Sequence, residues 1–145
     1  MKIKAIFLGI LAASSIFMVN NASVSYVSCK EVADHIDCLS DKDESRWYLI
    51  NVLPRYICQD CTIVNSINIP IHILYKKLKN SQKWPRNRKI IIYCAGKDCA
   101  LSRHAYEIIK NLGFVDVQVL DGGIFAWQQD GYPVKGKCQF GYLNG

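Results

Sequence analysis

The stretch from Ile90 to Leu112 constrains this chain more than any other. Ile90-Ile91-Ile92-Tyr93 is an apolar, mostly β-branched run that ends in Cys94. A short loop follows, Ala95-Gly96-Lys97-Asp98-Cys99. From Ala100 onward, Leu101, Ala105, Ile108, Ile109 and Leu112 recur at helical spacing. A strand that is apolar on both faces belongs in a parallel sheet covered by helices. Cys94 then stands at the carboxyl end of a buried strand, facing a helix N-terminus. Loop amides and the positive end of a helix lower a thiol's pKa, so Cys94 is expected to be a reactive thiolate.

The remaining pattern supports the same architecture. Ser28 and Glu31 form a capping-box pair ahead of Val32, Ala33, Ile36 and Leu39. Asp41 to Ser45 is a polar loop, and Trp47 to Val52 is a short buried strand that Pro54 ends. Cys58 and Cys61 fall in the next loop, with no strong helix expected there. Ile67 to Ile69 is a brief strand, and Ile71, Leu74, Tyr75 and Leu78 mark a helix face. Gly113 closes the helix that follows Cys94. Val115 to Leu120 is a further strand, and Gly122-Gly123 turns into a short helix over 124–129. Strands alternating with helices predict an α/β domain with a small, mostly parallel sheet and helices on both faces.

The 145 residues fit one domain, expected over 28–134, with a tail over 135–145. The formal charge of +6 comes from scattered lysines and arginines that read as a solvated surface, so no nucleic-acid partner is expected. Residues 1–23 read as a signal peptide. Lys2 and Lys4 precede an apolar stretch over 5–19 that is short for a membrane span. Asn20 stands where a cleavage signal prefers a small residue, so an uncleaved anchor, and with it a membrane contact, is the alternative. Export to a periplasmic or secreted location permits disulfides. Seven cysteines, an odd number, leave at least one outside any internal pairing. Cys58 and Cys61 suit a local disulfide or separate pairings, while Cys29, Cys38 and Cys138 read as structural or spare. No metal site and no cofactor are expected.

The order of these motifs resembles the rhodanese-like domain family. Leu49-Ile50-Asn51-Val52 resembles its early strand, and Ser66-Ile67-Asn68-Ile69-Pro70 resembles its next conserved segment. Ile92-Tyr93-Cys94 resembles the strand that ends in the family's active-site cysteine. Leu112-Gly113-Phe114, Val117, Gly122-Gly123-Ile124 and Trp127 resemble its ending. The loop departs from the family pattern. If Ser102 matches the family's serine, the loop is two residues longer, the usual arginine position is unfilled, and Cys99 lies near it.

The resemblance implies a sulfurtransferase or persulfide carrier with Cys94 as the catalytic thiolate. It implies a small sulfur donor, such as thiosulfate or a persulfide, and a thiol or cyanide acceptor. The active-site loop would be Ala95, Gly96, Lys97, Asp98, Cys99 and Ala100. Lys97 is placed to attract an anionic donor, and Arg103 would assist only if it faced the loop. Cys99 has three readings: a resolving thiol for Cys94, a permanent disulfide partner of Cys94, or an inert small residue. A phosphatase-type reading needs an arginine six residues after the nucleophile, and that position is Ala100. Two alternatives to sulfur transfer stay open: an exported thiol–disulfide redox protein using Cys94 and Cys99, and a rhodanese-like module that only binds a partner.

Overall fold

The computed structural model describes residues 23–35, 47–139 and 141. Residues 1–22 of the leader expected over 1–23, the polar loop over 41–45, and Ile36, Cys38 and Leu39 lie outside the described residues.

Five parallel strands form the central sheet in the order β1 (Tyr26–Val27), β6 (Val117–Leu120), β5 (Ile90–Tyr93), β2 (Tyr48–Asn51), β4 (Ile67–Asn68). β5 is central, flanked by β2 and β6 in parallel register, with Ile92 opposite both Ile50 and Val119. Its side chains alternate between two cores, as strand geometry dictates. Ile90, Ile92 and Cys94 pack with Leu74 and Leu78 of α3 (Ile71–Lys79) and with Ala105 and Ile109 of α4 (Leu101–Asn111). Ile91 and Tyr93 pack with Val32 of α1 (Cys29–Asp34) and with Ile124 and Trp127 of α5 (Gly123–Gln129). Each fully buried isoleucine in this run contributes roughly 1.5–3 kcal/mol over exposure, which is why both faces must be covered. The expected α/β architecture, with helices on both faces, is the one observed.

The local signals act as their chemistry requires. The Ser28 hydroxyl accepts from the Glu31 amide at 3.2 Å and caps α1. Gly113, at φ 87°, ends α4 in the left-handed conformation, and its amide reaches the Lys110 carbonyl at 2.9 Å. Asn51 is fully buried and satisfied at both ends of its amide. Its oxygen accepts from the Leu53 amide at 2.9 Å, and its nitrogen donates to the Tyr93 hydroxyl at 3.1 Å. Asn68 ties β4 to β2 by donating to the carbonyls of Asn51 at 3.0 Å and Leu53 at 2.9 Å.

Three features differ from the sequence expectation. Cys58 does not lie in a loop: residues Arg55–Asp60 form a helical turn and a half, α2, which starts directly after Pro54. Proline is well placed there because the first helical amides lack internal partners in any case. Cys61 then opens β3 (Cys61–Ile63), which pairs antiparallel with β7 (Val134–Gly136). Residues 135 and 136, read as the start of a tail, therefore belong to a strand, and Cys138 just beyond it forms a disulfide with Cys61, 77 residues away in sequence. A local Cys58–Cys61 bond is excluded by this pairing, and Cys58 is a free thiol.

Candidate functional site

The loop after β5 is held by hydrogen bonds from the far side of β6. The amides of Ile124 and Phe125, in the first turn of α5, donate to the carbonyls of Cys94 at 3.0 Å and Ala95 at 2.9 Å. In a trans peptide the N–H points opposite to the C=O of the same plane. The amides of Ala95 and Gly96 therefore face away from α5, into the loop. The Cys99 amide donates to the Gly96 carbonyl at 3.1 Å and closes the turn. Below the loop, the Tyr93 hydroxyl is fixed by Thr62 and Ser66 at 2.8 Å each and by the Ile63 amide at 3.0 Å. The strand end that carries Cys94 is thus clamped from β3 as well as from α5.

Two free thiols share this loop. Cys94 is 1% exposed and lies on the α3–α4 side of the sheet. Three acceptors surround its sulfur: the Ser102 hydroxyl at 3.2 Å, the Cys99 carbonyl at 3.3 Å and the Gly96 carbonyl at 3.8 Å. Cys99 is half-buried beside it, and its backbone carbonyl is one of these acceptors.

The two thiols titrate as a pair. Their mutual interaction pulls the pair's first ionisation below the ordinary thiol range, and that interaction together with burial pushes the second above it. The lowered acidity expected for Cys94 is thus a property of the Cys94–Cys99 pair, with the Cys94 sulfur set among acceptors and the amides of Ala95 and Gly96 facing into the loop. Cys94 and Cys99 are not joined in a permanent disulfide. Cys29 is a different case: burial, then Asp130 and Asp121, push its thiol up to about 11, so it is protonated at neutral pH.

A cavity of about 410 Å³ opens over the loop. Gly96, Lys97, Asp98 and Cys99 line it, together with Ser102 and Arg103 at the start of α4. Lys97 and Arg103 are both exposed there, so Arg103 does face the loop. Two predicted loop residues are not on the wall. Ala95 packs against the α3–α4 core with its carbonyl on α5, and Ala100 stands at the N-cap of α4. Tyr26, Val119, Leu120, Asp121 and Gly122 complete the wall, and a place for Tyr26 and Asp121 there was not anticipated. Asp121 follows β6, the strand beside β5, and the rule that sites lie at the carboxyl ends of parallel strands would have found it. Tyr26 belongs to a two-residue strand with no periodic signal.

The comparisons agree with this geometry. The model of the rhodanese-like domain family matches residues 28–130. The solution structure of a rhodanese-like domain from Anabaena is similar, with 22% identity and a TM-score of 0.66, over 81% of this chain and 83% of that one. A rhodanese-related protein from Thermoplasma volcanium is 27% identical with a TM-score of 0.62, over 77% of this chain and 97% of its own. A thiosulfate sulfurtransferase from Pseudomonas aeruginosa shares the fold at 19% identity and a TM-score of 0.64, over 78% of this chain and 20% of the larger protein. No curated protein sequence gives a significant match.

Proposed function

The chain belongs to the rhodanese-like domain family, and from that premise we propose that it is a sulfurtransferase whose loop thiols, Cys94 and Cys99, accept a sulfane sulfur and pass it on. A loop thiolate attacks the outer sulfur of a donor such as thiosulfate. The donor's S–S bond breaks, sulfite leaves with the bonding pair, and a persulfide remains on the protein. A thiol or cyanide acceptor then removes the outer sulfur and restores the thiolate. The observation that carries this reading is a pair of free thiols, Cys94 and Cys99, in the loop at the end of the central strand, beneath a cavity bearing Lys97 and Arg103. Amides directed at one sulfur stabilise the thiolate and the persulfide anion alike. The two exposed cations favour an anionic donor. A purely binding module would have no use for two free thiols in this loop.

Thiosulfate treatment of the purified protein, followed by intact-mass measurement and a sulfite assay, tests the proposal. Persulfide formation with sulfite release is expected, and both should vanish in the Cys94→Ser/Cys99→Ser double variant. Equal sulfite release by the double variant would sink the proposal. A redox protein without sulfur transfer would cycle between dithiol and disulfide with an added disulfide substrate and release no sulfite from thiosulfate.

We place this activity outside the cytosol. The basic-then-apolar segment over 1–23 supports export, and the Cys61–Cys138 disulfide suits an oxidising compartment.

A further inference from the structure

Resting on sulfur transfer at this loop, we propose that the cavity selects its sulfur acceptor by charge. The acceptor is a small thiol that carries an α-amino carboxylate. Asp121 receives its ammonium group and Arg103 its carboxylate.

Size is the first ground. The cavity of about 410 Å³ lies within the range of clefts that enclose organic ligands, roughly 300–1,000 Å³. Cyanide would fill only a small part of it. The charges on the wall are the second ground. Lys97 and Arg103 are cations, and Asp98 and Asp121 are carboxylates. The carboxylates oppose a ligand that is purely anionic, whereas a zwitterion satisfies both signs. The third ground is that these charges are not spent on one another. All four side chains are exposed, and among the described residues no ion pair ties up any of them.

Their placement suits recognition at two points. Asp121 follows the end of β6, and Arg103 lies in the first turn of α4. Lys97 and Asp98 are neighbours in the loop between β5 and α4. Tyr26, paired with Val119 of β6, adds an aromatic ring to the wall on the Asp121 side. Cys99 and Ser102 also line the cavity, and the Cys94 thiol donates to the Ser102 hydroxyl at 3.2 Å. A ligand held by both of its charged groups is thereby kept beside the thiol loop.

The transfer step balances without an oxidant or reductant. The acceptor's thiol loses its proton to solvent, and its thiolate attacks the outer sulfur of the protein persulfide. The bond from that sulfur to the cysteine breaks, and the cysteine thiolate leaves with the bonding pair. The acceptor departs as a persulfide.

Discharge of the loaded full-length chain tests the proposal. The protein is treated with thiosulfate, freed of excess donor and mixed at neutral pH with cysteine, cysteamine, 3-mercaptopropionate or 2-mercaptoethanol. Cysteamine lacks the carboxylate, 3-mercaptopropionate lacks the ammonium group, and 2-mercaptoethanol lacks both. Rapid-quench mass measurement follows loss of the extra sulfur, and rates are compared per acceptor thiolate. Cysteine should discharge the protein about tenfold faster than 2-mercaptoethanol, with each charged group contributing about threefold. Asp121→Asn should remove the advantage of cysteine over 3-mercaptopropionate and keep its advantage over cysteamine. Arg103→Gln should do the reverse. Each comparison is a ratio within one loaded protein, so it does not depend on how fast a variant loads or how stable it is. Equal rates for all the thiols, or ratios unchanged in either variant, overturn the charge selection while sulfur transfer stands. If the wild type gains no sulfur from thiosulfate, sulfur transfer itself fails, and the acceptor assignment falls with it.

Discussion

Gly123 lies against the carbonyl of Cys94 so closely that a Cβ at this position would stand 2.5 Å from its oxygen and 3.0 Å from that of Ala95. The contact brings the first turn of α5 within hydrogen-bond reach of the loop, and that turn sets which way the loop amides face. Gly123 also has φ 59°, a conformation that costs a β-carbon residue about 1–3 kcal/mol. Gly123→Ala is therefore expected to lose at least that much stability, since the obstructing atoms are backbone. It should also slow persulfide loading by on the order of tenfold, as the amides of Ala95 and Gly96 turn away from the loop interior. Chemical denaturation and a thiosulfate loading assay check the two effects. A variant that folds with unchanged loading would show that the α5 clamp does not shape the cradle.

The shared proton makes the loop's pH behaviour unlike that of an ordinary cysteine. The pair loses its first proton well below the ordinary thiol range, at about 5, so alkylation of the loop thiols should be almost flat across neutral pH and should fall about tenfold per unit only below that value. In Cys94→Ala the largest cause of the shift is gone, so the inflection should move to higher pH. Stability follows the same linkage. The folded pair gives up its first proton at lower pH than free thiols near 9.0 do, so its contribution grows as pH rises from about 5 and is lost as pH falls through that value. Cys94, whose pKa is raised, has the opposite sign, and its contribution is lost as pH climbs past the ordinary thiol value. The urea midpoint of the wild type relative to the double Cys→Ser variant should therefore rise from about pH 5 toward pH 9. A constant difference across that interval would contradict a thiolate held by Cys94.

What the sequence displayed were features that local chemistry determines. The Ile90–Tyr93 run, the Ser28–Glu31 cap and Gly113 each carry their structural meaning within a few residues. β1 and β3 are too short to show a period, and their existence depends on partners far along the chain, such as Val119 for Tyr26 and Gly136 for Cys61. The Cys61–Cys138 pairing was illegible for the same reason. The loop between Cys94 and Cys99 was visible as a thiol site, but not the direction in which its amides face. That is decided by Ile124 and Phe125, which arrive from beyond β6.

Ser102 offers a way to separate the two thiols without removing either. It is buried, and its hydroxyl accepts from the Cys94 thiol at 3.2 Å. Loss of that hydroxyl leaves the thiol its carbonyl acceptors, so Ser102→Ala should cost no more than about 1 kcal/mol. Ser102 is also what draws the Cys94 pKa back down, so Cys94 becomes harder to deprotonate in the variant. Persulfide loading from thiosulfate should therefore slow by about threefold to tenfold, which rapid-quench mass measurement follows directly. An unchanged loading rate would mean that the Ser102 hydroxyl does not help Cys94 ionise.

The Cys61–Cys138 disulfide bears on the site through β3. It closes a span of 77 residues and anchors the β3–β7 pair, and β3 carries Thr62 and Ile63, which hold the Tyr93 hydroxyl just ahead of Cys94. Cross-links over spans of this size typically stabilise by about 2–4 kcal/mol, chiefly by restricting the unfolded chain. Cys138→Ala should therefore unfold at a markedly lower denaturant concentration. Tyr93 keeps its bonds to Ser66 and Asn51 in the folded variant, so its loading rate per folded molecule should stay within about twofold of wild type, since the lost constraint acts mainly on the unfolded chain. Paired denaturation curves and loading rates, measured with the cross-link intact and in the variant, decide this. Equal midpoints would indicate that the bond does not constrain the unfolded chain, and a collapse of loading at full folding would show that β3 governs the loop directly.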